Sequence, residues 1–245
     1  EQITRFNKYV SVSENIIKLQ KVFPVFCATC ISTQKIGEPK LYFDMTIMDE
    51  ASQCNTAVSL VPIIRGKSLM LVGDPQQLNP VITLDHNINS ELKAKYNVND
   101  SYDYIKNSIY KAFLANDSVS QETLLHNHYR CAKEIIEFNN KKYYNNQLNV
   151  KSRVMYDKPL MFCEVAENYS SDKNTAPEEV ETIIKYVKNN PGKKIGIITP
   201  FKNQKDLIEH RLKEEHLDQD INCGTVHAFQ GDEKDEILFS LALTD

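Results

Sequence analysis

Short apolar runs bounded by polar or turn-forming residues recur along the chain at 23–28, 41–48, 68–72, 160–165, 195–199 and 236–243, and each reads as a buried β-strand. Between them apolar residues fall at helical spacing. Val180, Ile183, Ile184 and Val187 form one stripe in a segment opened by Thr175 and Glu178, which have the spacing of a capping box. A second helix is expected from about Lys202, carrying Leu207, Ile208 and Leu212. Two more are expected at 101–114 and 131–144, the latter turning Ala132, Ile135, Ile136 and Tyr143 inward. Strands that alternate with helices predict an α/β protein with mostly parallel sheets flanked by helices. Apolar periodicity fades at 85–100 and 115–121, which places a boundary near Asn116 and divides the chain into 1–116 and 117–245.

Composition narrows this picture only a little. With 245 residues, 41% of them hydrophobic, the chain can bury a real core in one large or two small domains. No run approaches the roughly 20 apolar residues of a membrane span, and residues 1–11 lack a signal-peptide core. The expected setting is therefore the cytoplasm, or the nucleus of a cell that has one, with no membrane partner. The six cysteines are scattered without a secreted-type framework and read as reduced thiols. A net charge of −4 gives no compositional support for nucleic-acid binding. A local basic groove and backbone amides can still track a phosphate backbone, so function has to be read from motifs.

The strongest local signal is Thr46-Ile47-Met48-Asp49-Glu50-Ala51-Ser52-Gln53, an apolar strand that ends in two adjacent carboxylates. Strand ends are where α/β sheets place ligands. There one carboxylate can hold Mg²⁺ through its water shell, and the next can orient or deprotonate an attacking water. A bare Asp-Glu pair is more commonly an ordinary acidic strand terminus. About twenty residues later a second strand, Leu69-Met70-Leu71-Val72, runs into Gly73-Asp74-Pro75-Gln76-Gln77-Leu78-Asn79-Pro80. By itself this is a plain strand-turn. A glutamine amide placed there can both donate to a terminal phosphate and accept from a water.

Taken together these stretches resemble the superfamily-one, Upf-like nucleic-acid helicases. Asp49-Glu50-Ala51-Ser52-Gln53 is similar to their Walker B motif, and Gly73-Asp74-Pro75-Gln76-Gln77-Leu78-Asn79-Pro80 to their third motif. His128-Tyr129-Arg130-Cys131 resembles the fourth, and Ile195-Gly196-Ile197-Ile198-Thr199-Pro200-Phe201 its neighbour. Thr225-Val226-His227-Ala228-Phe229-Gln230-Gly231-Asp232-Glu233-Lys234-Asp235 resembles the fifth, and Cys27-Ala28-Thr29-Cys30 the segment before Walker B. The resemblance implies two incomplete RecA-like lobes with ATP and Mg²⁺ bound between them. It implies Asp49 as the Mg²⁺ residue, Glu50 as catalytic base, Gln77 as γ-phosphate sensor and Arg130 as an arginine finger. Asp74, Tyr129, Gly231 and Glu233 are implied at the nucleotide, with Tyr129 stacking on adenine and Glu233 near the ribose. Thr29, Thr199, Thr225 and His227 resemble positions that meet the nucleic-acid backbone. The implied partner is single-stranded DNA or RNA, and the implied protein a monomer with further domains fused or associated. Read alone, Tyr129 is equally a core residue, and Arg130 a surface arginine able to pair with Glu134.

A motor of this kind also needs a phosphate loop of the form G-x-x-x-x-G-K-[ST], and the 245 residues contain none. Gly66-Lys67-Ser68 is a decoy, because Val61 stands where the first glycine belongs and the triplet leads into a strand. The sixth motif is also absent, so the expectation is an incomplete piece of a larger enzyme, inert as an ATPase by itself. Two rival readings are a helicase-derived binding module without turnover and a metal-dependent nuclease. The latter leaves Gln77 and Arg130 without a task. Cys27 and Cys30 have zinc-type spacing, but no second pair accompanies them. No G-x-S-x-G elbow supports a serine hydrolase.

Overall fold

A computed structural model describes residues 1–153, 157–166, 174–217, 221–229 and 231–242. The chain divides into two compact units, one formed by Glu1–His126 and Tyr143–Leu148, the other by Asn127–Lys142 and Asn149–Asp245. It is α/β, and every strand ladder among the described residues is parallel.

In the first unit, helices α1 (Gln2–Val10) and α2 (Ser13–Gln20) bury Val10 and Ile16 against Ile36, Tyr42 and Phe43. Strand β1 (Phe43–Met48) then leads through α3 (Thr56–Ile63) to β2 (Gly66–Leu71), with Phe43 opposite Gly66 and Met48 opposite Leu71. Asn55 caps α3 by accepting the Val58 N–H. Arg65, buried between α3 and β2, donates to the carbonyls of Ile36, Val61 and Gly37. Val61 lies in the last turn of α3, where the helix dipole favours a cation. The decoy triplet is part of β2, and Lys67 there pairs with Asp44.

Several expectations fail here for local reasons. The run 23–28 forms no ladder among the described residues, and Phe23 and Val25 face solvent. Only Phe26 of that run packs inward, edge-on to Phe43. The stretch 85–100, where periodicity fades, holds helix α4 (His86–Tyr96), capped by Asp85. Polar bonding replaces an apolar stripe: buried Asp103 accepts from Asn89 and Lys93, and Lys93 also reaches Asp100. The same carboxylate takes the Ile105 and Lys106 N–H groups, so no continuous helix spans 101–114. Instead a 3₁₀ turn (Asp100–Tyr102) precedes α5 (Ile109–Asn116), which starts on its cap Ser108 and ends at Asn116.

In the second unit, β3 (Asn127–His128) pairs with β4 (Asn149–Val150). Helix α6 (Lys133–Tyr143) lies between them in sequence and buries none of its own residues. Ala132, just before it, is buried, but Ile135 and Tyr143 are exposed, contrary to the expected inward stripe. The rest is a three-stranded sheet in the order β6 (Asn222–Gly224), β5 (Ile195–Ile198), β7 (Glu236–Phe239). Helices α7 (Pro177–Asn189) and α8 (Lys202–Glu214) cover it, packing Val180, Ile183, Ile184, Val187, Ile208 and Leu212 on Ile195 and Ile197. The N-cap of α7 is Ala176 with Pro177 behind it, so Thr175 is not the capping residue. Buried Gln204 binds both backbone groups of Ala176 and donates to Ser240, tying α8 to the start of α7 and the end of β7. The expected strand at 160–165 forms no ladder among the described residues, and Leu160, Met161 and Phe162 are exposed. Of the expected strand at 236–243, the described part ends its ladder at Phe239, and position 243 lies outside the described residues.

Candidate nucleotide site

The two motif-bearing strand ends of the first unit are stitched together beyond their ladder. Val72 N donates to Met48 O, and Ala51 N donates back to Val72 O, both at 2.8 Å. Asp74 N donates to the hydroxyl of buried Ser52 at 3.2 Å. Gly73 permits this approach, since a Cβ there would sit 2.8 Å from Ser52 N.

Within this turn Asp49 and Glu50 are both exposed at the end of β1. Asp49 Oδ1 accepts the Glu50 N–H at 2.9 Å. Glu50 has a left-handed backbone with φ of 51°, uncommon for a non-glycine residue and a form of strain that clusters at functional sites. Its neighbour holds it there: Gln53 N donates to Glu50 O, and Gln53 Nε2 donates to Glu50 Oε2 at 2.6 Å. The carboxylate is thus aimed but remains at the surface.

The second turn is organised around Asp74. Its Oδ1 accepts Gln76 N, and its Oδ2 accepts both Gln77 Nε2 at 2.9 Å and the Tyr144 hydroxyl at 2.5 Å. Burial first, and then the bond to Asp74, push the Tyr144 phenol well above its ordinary pKa, so it stays a neutral donor. Gln77 is exposed. Farther along the loop Lys111 donates to Asn79 at 2.7 Å. Tyr110, on the same helix α5, has its hydroxyl pushed up to about 12 by burial and by its bond to Glu122.

Below these turns Cys30 and Cys54 pack with Met48, Ala51 and Ile109. Burial, with Cys30 and Glu50 adding to it, raises the Cys54 thiol to about 11, as expected of a reduced thiol facing another. Cys27 is exposed. Thr29 is exposed as well and accepts Ser32 N, heading a 3₁₀ turn (Ile31–Lys35).

The second unit carries its own constellation. His128 Nε2 accepts the Cys131 N–H at 3.1 Å, closing a tight turn on Tyr129 and Arg130. Burial, and secondarily the Arg130 charge, lower the His128 pKa and keep that nitrogen an acceptor. Tyr129 is 65% exposed, so its ring is not a core element. Arg130 pairs at 2.6 Å with Glu233, 103 positions away, and not with Glu134. The structure therefore brings together the fourth- and fifth-motif residues.

Gly231 has a φ of 81° that other residues rarely adopt, and Glu233 N is held by Asp232 Oδ1. His227 is exposed and Thr225 half-buried around a 3₁₀ turn (Val226–Phe229). Gln230 lies outside the described residues. Thr199 departs from expectation. It has no exposed surface, and its hydroxyl accepts Phe201 N, so here it packs and does not present a hydroxyl to a backbone phosphate.

Sequence reasoning did not single out Tyr144. Its signal was the Asn145-Asn146 pair behind it, both with positive φ, which turns the chain directly after α6.

An α/β chain whose acidic strand end is laced to a Gly-Asp-Pro-Gln turn belongs to the RecA-like nucleotide-binding class. A family profile described as AAA domain matches residues 105–244, and a second of the same description matches residues 4–85. Among similar proteins, an uncharacterized ATP-dependent helicase of Methanocaldococcus jannaschii is 28% identical over 82% of this chain and 32% of its own length. The DNA polymerase alpha-associated DNA helicase A of Schizosaccharomyces pombe is 26% identical over 93% of this chain and 36% of its own length. The ATP-dependent helicase NAM7 of Saccharomyces cerevisiae is 29% identical over 96% of this chain and 25% of its own length. The chain belongs to this AAA-domain family, in the Upf-like branch of the superfamily-one helicases. It spans about a third or less of the length of these relatives. Among the described residues no helix is long and apolar enough to cross a membrane.

Proposed function

We propose that the whole protein to which this chain contributes is an ATP-dependent helicase or translocase, coupling ATP hydrolysis to movement on single-stranded DNA or RNA. The observation that carries the reading is the lacing of the Asp49-Glu50 turn to the Asp74-Gln77 turn through Val72, Ala51 and Ser52. It sets a surface carboxylate beside a loop that ends in an exposed glutamine amide.

In this reading Glu50, aimed by Gln53, removes the proton from the attacking water, and Gln77 orients that water. Arg130, a planar and permanently charged group, stabilises charge developing on the transferred phosphoryl group and exchanges Glu233 for it. Tyr129 offers a solvent-facing ring for the adenine, and the backbone at Gly231 and the Glu233 carboxylate serve the rest of the nucleotide. Thr29, Thr225 and His227 are the candidate contacts to the nucleic-acid backbone, which needs polar groups and no base readout.

Asp49, an exposed carboxylate at the end of β1, would hold a magnesium ion through the ion's water shell, a donor that fits a cation reluctant to shed its water. When bound, the ion neutralises charge on the phosphate oxygens.

The test uses the whole protein, since these 245 residues contain no G-x-x-x-x-G-K-[ST] sequence. Glu50→Gln keeps the size and loses the basicity. Turnover is expected to fall by about 10²- to 10⁴-fold while ATP binding stays nearly intact. Parallel loss of binding and turnover would make Glu50 a structural residue instead.

A further inference from the structure

We infer that Tyr144 is a positioning residue for Gln77, acting through the carboxylate of Asp74; this rests on the reading of Gln77 given above. Asp74 Oδ1 is committed to its own turn through Gln76 N, and its backbone N–H is committed to Ser52. Oδ2 alone is shared, and its two donors are the Gln77 amide nitrogen and the Tyr144 hydroxyl.

The consequence for Gln77 is polarity. A terminal amide carries a donor and an acceptor that can exchange places by a half-turn of the side chain. With its nitrogen tied to Asp74, Gln77 is left with its carbonyl oxygen as the end that accepts a hydrogen bond from the water. The Tyr144 hydroxyl fixes where Oδ2 stands and so where the Gln77 nitrogen must lie. Without it the carboxylate can turn, and the amide loses its preferred sense.

Tyr144 is built to hold this place. Asn145 and Asn146 have φ of 49° and 60°, and Gln147 N donates to Tyr144 O at 2.8 Å, closing a left-handed turn with Tyr144 at its first position. His126 Nδ1 donates to Gln147 O at 2.9 Å and braces the far side of the turn. The motif loop is separately anchored by Lys111 at Asn79 and by buried Pro80. Loss of the Tyr144 hydroxyl therefore leaves the loop in place and frees only the Asp74 and Gln77 side chains.

The experiment compares Tyr144→Phe, Asp74→Asn, Gln77→Ala and the double variant Tyr144→Phe/Gln77→Ala in the whole protein, with Glu50→Gln alongside. Tyr144→Phe keeps the ring and removes the hydroxyl. It is expected to lower kcat by about tenfold with the KM for ATP nearly unchanged, the pattern of a lost transition-state interaction. Asp74→Asn, which keeps an acceptor for the turn, should give the same split. Because Tyr144 acts through Gln77, the double variant should be no slower than Gln77→Ala alone. A normal kcat in Tyr144→Phe, or losses that multiply in the double variant, overturns the inference. If Glu50→Gln and Gln77→Ala lose turnover while Tyr144→Phe does not, the site stands and only Tyr144 is misassigned. If Glu50→Gln or Gln77→Ala turns over normally, the site reading falls and this inference with it.

Discussion

The two units solve the same problem, holding polar groups at the ends of parallel strands, with unequal support. In the second unit β5 is central, and Ile195 and Ile197 lie under the apolar stripes of α7 and α8. In the first unit β1 and β2 form a two-stranded sheet covered on one face by Ile109, Tyr110 and Phe113 of α5. Its other face leaves Met45, Ile47 and Met70 at 48%, 62% and 48% exposure. Parallel sheets are normally buried on both faces, so the first sheet gains less from burial than the second. Its candidate site is correspondingly knit by hydrogen bonds, from Met48 and Ser52 to Asp74 and Tyr144. The second unit's Arg130–Glu233 pair, by contrast, is a single exposed contact.

The sharpest test of that contrast is Arg130. In the whole protein Arg130→Ala should lower the maximal rate by about a thousandfold or more, with a far smaller change in nucleotide affinity. Lysine should rescue little, because a point charge lacks the planar fork. Steady-state kinetics decide it, and near-normal turnover in both variants would reduce Arg130 to a surface ion pair.

Core truncation should separate the units next. Ile208→Ala, at a site with no exposed surface, is expected to cost about 2–5 kcal/mol. Ile47→Ala, on the bare face of the first sheet, should cost under about 0.5 kcal/mol. Hydrogen exchange read unit by unit checks both, and it should show β1 and β2 exchanging faster than β5 in the unsubstituted chain. Equal protection in the two sheets would remove the comparison.

Acid should affect the units in different windows and more gently. His128 has a folded pKa below its ordinary 6.5, so its contribution is present above that value and is lost as pH falls through the lowered one. Protonation removes the acceptor of Cys131 N, and the Cys131 amide resonance should shift first. Asp103 responds much later. Burial alone would raise its pKa, but the bonds from Lys93, Ile105 N, Asn89 and Lys106 N outweigh it and bring the value to about 2. Its contribution is complete above its ordinary 3.8 and is lost as pH falls through about 2. Amide exchange in α4 should rise only in that second window, and a simultaneous loss in both regions would show that one cooperative event controls them.

Much of this was legible because it is local. The strands at β1, β2 and β5 and the helices α7 and α8 follow from short apolar runs and a 3.6-residue stripe. Asp49, Glu50, Asp74 and Gln77 could be placed at strand ends for the same reason, as residues that directly follow such runs. Where local signals misled, the deciding partner was distant or absent. The run 23–28 is as apolar as a strand but has no ladder partner among the described residues, and backbone pairing is what makes a strand. Helix α4 has a weak apolar stripe and is held by Asp103, a carboxylate beyond its own end.

The sequence by itself determined the class of protein, through six stretches that together resemble one family, and with it the candidate carboxylates and the amide, since motifs depend only on residue type and order along the chain. Only the tertiary structure decided that Arg130 rests on Glu233, that Thr199 is packed away from solvent and that Tyr144 shares an oxygen with Gln77. Those facts join residues as far as 103 positions apart. A hydrogen bond is satisfied by whatever the fold carries to within about 3 Å, which no periodicity in the chain encodes.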